Sequence, residues 1–483
     1  MNKSIITLLF SFLTLSSCLD GFLEIDPETI LTEENFWLTE DDARAGVNSI
    51  YEPLQSAYKS NYIYWFLARS DNWYSSVGTT DASSVQNVCM NDISTSMKPC
   101  DWNDFYYAIT RANYAIHFLP NVPNIPEATR KHLMAESYFL RAKCYFDIAR
   151  IWGKAPLITK PTLSLQDVDY PTRNDQSELL QQVKNDISES LRLANRSATN
   201  KHFFTYPAGL TLAAHYYMWM HDYNKVDSLT QELIDSKQFS LVNSADWGKM
   251  LNEGNTSENI WTMPWSYANN GTNSFIVYLC QSQAALYISE PLRLKWQSAA
   301  DVKPDARFEQ TTNITVRAPY AYNHLQTRVN GSGIWKFSLK EYVPKTGVEI
   351  PIILFRYAEV LLLRAEALTK LNRIEEAVAL LNQVHGRSVP NDVIPKERFT
   401  ETADPQAALE NAILDERQIE LLGEGYRWFD LVRTGKYKAV MNDFFENYIG
   451  AKSNIKYNLY EEDDDQFFPV YNLNLIDNPN LND

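Results

Sequence analysis

"MAESYFLRAKCYFDIARIWG", residues 134–153, spells a helix in the spacing of its apolar residues. Ala135, Tyr138, Phe139, Ala142, Tyr145, Phe146, Ala149 and Trp152 recur every three or four positions, and at 3.6 residues per turn this lays them on one wide stripe. Gly153 and Pro156 then stop the helix, because glycine accepts the left-handed conformation and proline lacks the amide hydrogen. Similar patterns cover Glu40 to Tyr58, Trp102 to Leu119 and Ser177 to Ala194. Helices therefore dominate the first half of the chain.

Further along, the sequence resembles itself. "AHYYMWMHDYNKVDSLTQELI" from Ala214 and "AEALTKLNRIEEAVALLNQV" from Ala365 align without gaps, matching Ala214 with Ala365, Met220 with Leu371, Tyr223 with Ile374, Val226 with Ala377 and Leu229 with Leu380. Each reads as helix, tight polar turn, helix. Small residues let the two helices approach and large ones fill the space between, the packing logic of tetratricopeptide hairpins. The copies are not adjacent, so the pattern is not a regular solenoid. The expected architecture is mainly α, a tetratricopeptide-like helical scaffold over about 36–238 and 351–440 that carries a long irregular insertion at about 239–350. The insertion is rich in Asn, Ser, Gly, Tyr and Trp, and in "IWTMPWSYANNGTNSF" neither helical nor strand periodicity persists. Its aromatic load argues against disorder.

The N-terminus is of another kind. Lys3 is its only charge, an apolar run extends from Ile5 to Leu15, and small residues follow, which is the plan of an export leader over residues 1–17. Leu15-Ser16-Ser17-Cys18 resembles the bacterial lipobox, so Cys18 is the expected lipidation site and first residue of the mature protein; a plain secretory signal with an incidental cysteine is the alternative. Nothing after Cys18 approaches the roughly 20 uninterrupted apolar residues of a membrane span. Loss of Lys3 with the leader moves the net charge from −16 to −17, which disfavours a nucleic-acid partner. Cys89 and Cys100 flank a short polar segment and form a candidate disulfide, whereas Cys144 sits among helical core residues as a free thiol. No CxxC pair or histidine spacing indicates a metal, and no cofactor is expected.

Catalytic signatures are missing from the sequence: no GxSxG, HExxH, GxxxxGK[ST] or GxGxxG motif is present. Asp415, Glu416, Glu420 and Glu424 could be offered as glycosidase carboxylates. The i, i+4 spacing of Glu416, Glu420 and Glu424 beside Arg417, Arg427 and Arg433 points instead to structural ion pairs. The run Glu461 to Asp465 reads as a solvated acidic loop, with a calcium site as the alternative.

Four ordered segments then carry a family resemblance: "FLEIDPETILTEENFWLTEDDARAGVNSIY" (22–51), "FLRAKCYFDIARIWGKAPLI" (139–158), "FRYAEVLLLRAEAL" (355–368) and "ILDERQIELLGEGYRWFDLVRTGKY" (413–437). Together with the closing "FFPVYNLNLIDNPNL" they resemble the SusD/RagB family of surface nutrient-binding lipoproteins over nearly all of the mature chain. The resemblance implies a single SusD-like domain from 18 to 483 with four tetratricopeptide-like units. It also implies a lipid anchor on the outer face of the outer membrane, a SusC-like TonB-dependent transporter as partner, and capture of oligosaccharides, or in some members peptides, without catalysis. A helical-repeat scaffold binding a protein partner and a carbohydrate-cleaving enzyme are the competing classes.

Sugars present flat C–H faces bordered by hydroxyls, so a protein grips them with exposed rings and polar side chains at the rim. Burying about 100 Å² per stacked ring contributes on the order of 2.5 kcal/mol. Asp71, Asn72, Trp73 and Tyr74 stand together after an apolar helix, in a neighbourhood where the resemblance places family ligand contacts. The insertion adds Trp261, Trp265, Tyr267 and Trp296, with Asn269 and Asn270 as hydrogen-bonding partners. Trp102, Trp152 and Trp219 are assigned to the core, and for each of the other rings a core position is the competing reading.

Overall fold

In a computed structural model of the chain, which describes residues 36–75, 82–274, 286–308, 349–451 and 455–482, the 134–153 stretch closes one long helix, Glu127–Ile151. Trp152 caps it and Gly153 follows at φ +72°, as the stop signal requires. The expected leader, Cys18 and Cys280 lie outside the described residues.

The principal helices are α1 Glu40–Asn48, α2 Tyr51–Tyr62, α3 Asn103–Phe118, α4 Glu127–Ile151, α5 Gln176–Leu193, α6 Tyr206–Trp219 and α7 Tyr223–Asp235, followed by α8 Glu290–Val302, α9 Tyr357–Lys370, α10 Ile374–Ser388, α11 Pro405–Glu420, α12 Arg427–Arg433 and α13 Tyr437–Phe444. The fold is mostly helical, as expected. One boundary differs: the helix expected over Glu40–Tyr58 is two, with α1 opened by a Thr39–Asp42 capping box and α2 starting after the break at Ser49 and Ile50.

The apolar stripe of α4 is only part of its buried surface, since Glu136, Arg141, Lys143 and Asp147 are buried as well. Each has a partner. Arg141 forks onto Asp186 of α5 at 2.8 and 2.6 Å; Lys143 meets Asp147, whose Oδ2 also accepts from the Tyr58 hydroxyl of α2 at 2.6 Å. Glu136 accepts from the Tyr51 hydroxyl at 2.5 Å and from the Phe204 amide at 3.3 Å. Neighbours on all sides make α4 the central helix; Arg141, Lys143 and Asp147 are matched there by opposite charges, whereas Glu136 is held by hydrogen bonds alone.

The internal repeat is structural. In the α6–α7 turn His221 adopts φ +58°, and in the α9–α10 turn the aligned Asn372 adopts φ +61°. The amides agree too: His221 donates to the Met218 carbonyl and Asp222 to that of Tyr217, as Asn372 does to Thr369 and Arg373 to Leu368. Ala214, Met218, Val226, Leu363 and Ala367 form one apolar cluster, so the two hairpins bury their small residues against each other. A third turn of the same design joins α12 to α13, with Gly435 at φ +68° and amides of Gly435 and Lys436 bonded to the carbonyls of Val432 and Leu431.

The insertion is more regular than its sequence suggests. Strand β1 (Trp73–Tyr74) pairs antiparallel with β3 (Tyr287–Ile288), setting Trp73 opposite Ile288; β2 (Asn259–Met263) pairs antiparallel with β4 (Ile352–Arg356). Every residue of β2 and β4 is buried, so neither shows the alternation that would announce a strand. The candidate disulfide is absent: Cys89 and Cys100 are separate buried thiols, as is Cys144. Cys89 ends one short helix and Cys100 a 3₁₀ turn; both side chains enter the core, where the Cys100 thiol donates to the Ser94 carbonyl at 3.3 Å. Burial pushes the Cys100 thiol up to about 12.

Candidate functional site

Where the β1–β3 ribbon fastens the insertion to the scaffold, a cleft of about 690 Å³ opens. Asp71 lies at its base, just before β1. One wall is the first two turns of α8 with Glu290, Leu294 and Lys295; another is α13 and the residues after it, with Val440, Asp443, Asn447 and Tyr448. Between them stand Asp415 and Gln418 of α11 and Arg427, first residue of α12. A concave site of this size with an apolar lining and a few convergent polar groups suits a small ligand.

The polar floor is tightly organised. Arg427 makes a bidentate pair with Asp71, Nε to Oδ1 at 2.8 Å and Nη2 to Oδ2 at 2.9 Å. Gln418 Nε2 donates to Asp71 Oδ2 at 3.0 Å and to Asn72 Oδ1 at 2.7 Å. Backbone bonds hold the same corner: Ser289, at the start of α8, donates its amide to the Asn72 carbonyl and its hydroxyl to that of Asp71. Burial lowers the Arg427 pKa and the Asp71 carboxylate raises it; the second effect wins. Apolar surface comes from Leu294, 47% exposed, and from Val440, with Phe444 and Tyr448 behind.

Most of the sequence-predicted rings are elsewhere. Trp73, Tyr74, Trp261 and Trp296 are core residues, 1%, 5%, 0% and 1% exposed, and a ring without exposed faces is no sugar platform. Each has a structural partner. Trp261 packs between Phe139 and Phe355, Trp296 donates to Asp305 at 3.0 Å, Tyr74 meets the Tyr448 ring edge-on, and Trp73 pairs with Ile288 in the ribbon. Trp265 is buried, its indole donating to the Gly271 carbonyl at 2.8 Å. Tyr267 is exposed and Asn269 is beside it; Asn270 is held against α2 by Gln55 and Lys59. Of the eight, only Asp71 lines the cleft, with Asn72 tied to its floor. Trp102 and Trp152 are buried as expected, and Trp219 packs on the core.

The acidic cluster is ion-paired, but not with the arginines that neighbour it in sequence. Glu416 meets Arg307 at 2.6 Å and His385 at 2.9 Å; Glu420 meets Arg356 at 2.6 Å, Arg307 at 2.8 Å and Arg387 at 2.5 Å; Glu424 meets Arg356 at 2.6 Å. Arg417 and Arg433 serve Asp430 instead, and Asp415 pairs at the surface with Lys295 at 2.8 Å. Burial raises the Glu420 pKa, yet the guanidinium groups of Arg387, Arg356 and Arg307 hold it well below the usual range. The Glu461–Asp465 run is a surface turn in which Asp465 accepts the amides of Glu461 and Glu462 at 2.8 Å. Among the described residues no cluster of His, Cys, Asp and Glu is arranged to hold a metal ion, and no helix is long and apolar enough to cross a membrane.

A SusD-like protein of Formosa agariphila is 30% identical, with 98% of this chain and 96% of the relative covered, and a second from that organism is 25% identical over 94% of each. Among solved structures, a SusD superfamily protein of Bacteroides thetaiotaomicron matches at TM-score 0.73 and 20% identity, covering 92% of this chain and 99% of its own. A laminarin-binding SusD-like protein matches at 0.74 and 21%, covering 91% and 97%. At these identities the structures share the fold. The pattern described as "Starch-binding associating with outer membrane" matches residues 12–218, and that of the SusD family matches 213–483. The chain belongs to the SusD family.

Proposed function

We propose that this protein is a cell-surface lipoprotein that captures oligosaccharides in the Asp71–Arg427 cleft and passes them to a SusC-like TonB-dependent transporter, with no catalytic step of its own. The cleft carries the reading: fixed hydrogen-bonding groups sit beside exposed Leu294 and half-buried Val440, which suits the mixed face of a sugar. Family membership supports it, as do a laminarin-binding neighbour and a surface glycan-binding protein of Bacteroides fluxus matching at TM-score 0.71. Lipidation at Cys18 supplies the anchor in this reading, and an acylated N-terminal cysteine in the mass spectrum of the membrane form is the expected signature. Capture must offset at least about 4 kcal/mol of lost motional freedom, which leaves micromolar to millimolar affinity for a few stacked or packed sugar faces.

Affinity electrophoresis of the detergent-solubilised mature chain through gels containing polysaccharides tests the site. Leu294→Glu, placed on an exposed apolar residue, abolishes retention and leaves the thermal melt unchanged. Undiminished retention moves binding out of the cleft, and release of reducing ends by the protein alone refutes the non-catalytic reading.

A further inference from the structure

A second cleft, of about 950 Å³, shares no lining residue with the first. It lies between the closing segment of the chain at Phe467, the turn after α4 at Gly153, and the first turn of α5 with Gln176 and Ser177; Asn91 and Asn458 also line it. Phe467 is half-buried and stacks on no other aromatic ring among the described residues. A Cβ at Gly153 would stand 3.0, 3.0 and 3.1 Å from its Cε2, Cζ and Cδ2 atoms. Near-equal distances to three consecutive ring atoms belong to an approach over the face, since an approach in the ring plane leaves the outer two farther away. One face of the ring is thus backed by the chain at Gly153, whose φ of +72° and missing side chain allow the close approach, and the exposed surface of the ring lines the cleft. The segment that carries the ring is fixed. Arg69 donates to the carbonyls of Asp465 and Gln466, and the Phe468 amide donates to the Ile151 carbonyl at 2.8 Å. Two amides of the lining are fixed as well. Gln176 Nε2 donates to the Ala149 carbonyl at 2.7 Å and Asn458 Nδ2 to that of Asn91 at 3.0 Å, so each side-chain oxygen is left to accept, with no protein donor among the described residues.

We infer that this cleft is a second glycan site, in which a pyranose lays its C–H face on the Phe467 ring and donates hydroxyl hydrogens to the Gln176 and Asn458 side-chain oxygens. It shares the ligand class of the first cleft and none of its residues. The arrangement supplies what a sugar needs, a rigid flat ring with oriented acceptors around it. An extended peptide is held by an open strand edge, and no strand of the described residues lines this cleft. With a single ring the site is weak, and by itself it does not retain the protein in a gel; it adds to the hold on a long chain that is already seated in the first cleft.

The test is saturation-transfer NMR of the mature chain with maltotriose, laminaritriose and xylotriose, in the Leu294→Glu background that blocks the first cleft. Transfer to the protons of at least one trisaccharide persists in that background. It falls at least about fivefold on adding Phe467→Leu, which keeps an apolar side chain and removes the flat face, and it returns with Phe467→Tyr. Ser177→Arg, on an exposed residue of the lining, gives the same loss by bulk with an unchanged thermal melt, which separates a blocked cleft from a damaged fold. Absence of transfer in the Leu294→Glu protein, or transfer undiminished by Phe467→Leu, overturns the second site and leaves the first in place. Gel retention undiminished by Leu294→Glu overturns the first and leaves the second to stand on the Phe467 variants.

Discussion

Glu136 couples the stability of the central helix to pH. Its carboxylate is buried on α4, where burial raises its pKa from 4.5 to about 6; the Tyr51 hydroxyl, the Phe204 amide and the more distant Arg44 pull in the opposite direction without cancelling the shift. A folded-state pKa above the unfolded value means the native protein binds this proton more tightly. The contribution is therefore fully present below pH 4.5, lost as pH rises through 6, and absent above it. At about 1.4 kcal/mol per unit, a shift of roughly 1.5 units corresponds to about 2 kcal/mol. Glu136→Gln keeps an oxygen to accept from Tyr51 and Phe204 and cannot ionise. Relative to the native sequence, the variant should gain about 2 kcal/mol between pH 4.5 and pH 8, read as the change in urea midpoint multiplied by the slope of tryptophan fluorescence unfolding. His132, which stacks on Phe204, has its pKa lowered by burial and by Arg44; it is common to both proteins and drops out of the difference to first order. A stability difference that stays constant across pH 4.5, 6 and 8 would refute the argument.

Arg356→Met removes the guanidinium that Glu258, Glu420 and Glu424 share at 2.7, 2.6 and 2.6 Å in the interior, leaving Arg307 and Arg387 as the remaining cations of the network, and should cost about 3–5 kcal/mol in urea unfolding; a loss under about 1 kcal/mol would show that the shared guanidinium is dispensable. Gly425→Ala meets two obstacles, φ at +86° and a new methyl that would stand 2.8 Å from the Tyr62 hydroxyl oxygen and 2.9 Å from Phe66 Cβ, so the melting temperature should fall by an amount equivalent to more than about 1 kcal/mol. Trp73→Ala empties a fully buried site and should destabilise by about 3–5 kcal/mol; lost glycan retention with an unaltered melt would instead return Trp73 to the binding surface.

The scaffold was legible because its signals are local. Stripe spacing set the helices of 103–118 and 176–193 to within a residue or so, and the Ala214/Ala365 alignment extends to the left-handed residues His221 and Asn372. The hairpin at Gly435 escaped notice because helices of seven and eight residues carry too few turns to show a period. Aromatic residues misled for a related reason. A strand covered on both faces and a ring on a buried helix face look, in sequence, like a loop rich in tryptophan; Trp261 and Trp296 occupy those two positions. The cleft itself draws on positions 71, 290–295, 415–427 and 439–448, which only the tertiary fold brings together. Its sequence trace was Asp71 with Asn72, polar residues set beside Trp73 and Tyr74 just after an apolar helix.

The buried ions answer why the proposed capture cleft can be firm when its walls come from separate parts of the chain. Helix α8 presents Glu290, Leu294 and Lys295 to the cleft, and just beyond its end Asp305 and Arg307 turn inward, Arg307 bonding Glu416 and Glu420 on α11 at 2.6 and 2.8 Å. That same α11 turns Asp415 and Gln418 outward to the cleft, and Glu420 also binds Arg356 at the end of β4, which reaches Glu258 beside β2. The insertion and the scaffold are thus clamped behind the cleft by charges that have no role at its surface. Apolar packing alone tolerates sliding, since one methyl contact replaces another; a guanidinium fitted to three carboxylates does not. Fixing the walls before the ligand arrives lowers the ordering cost of binding, and a weak, reversible capture protein has little free energy to spare for that cost.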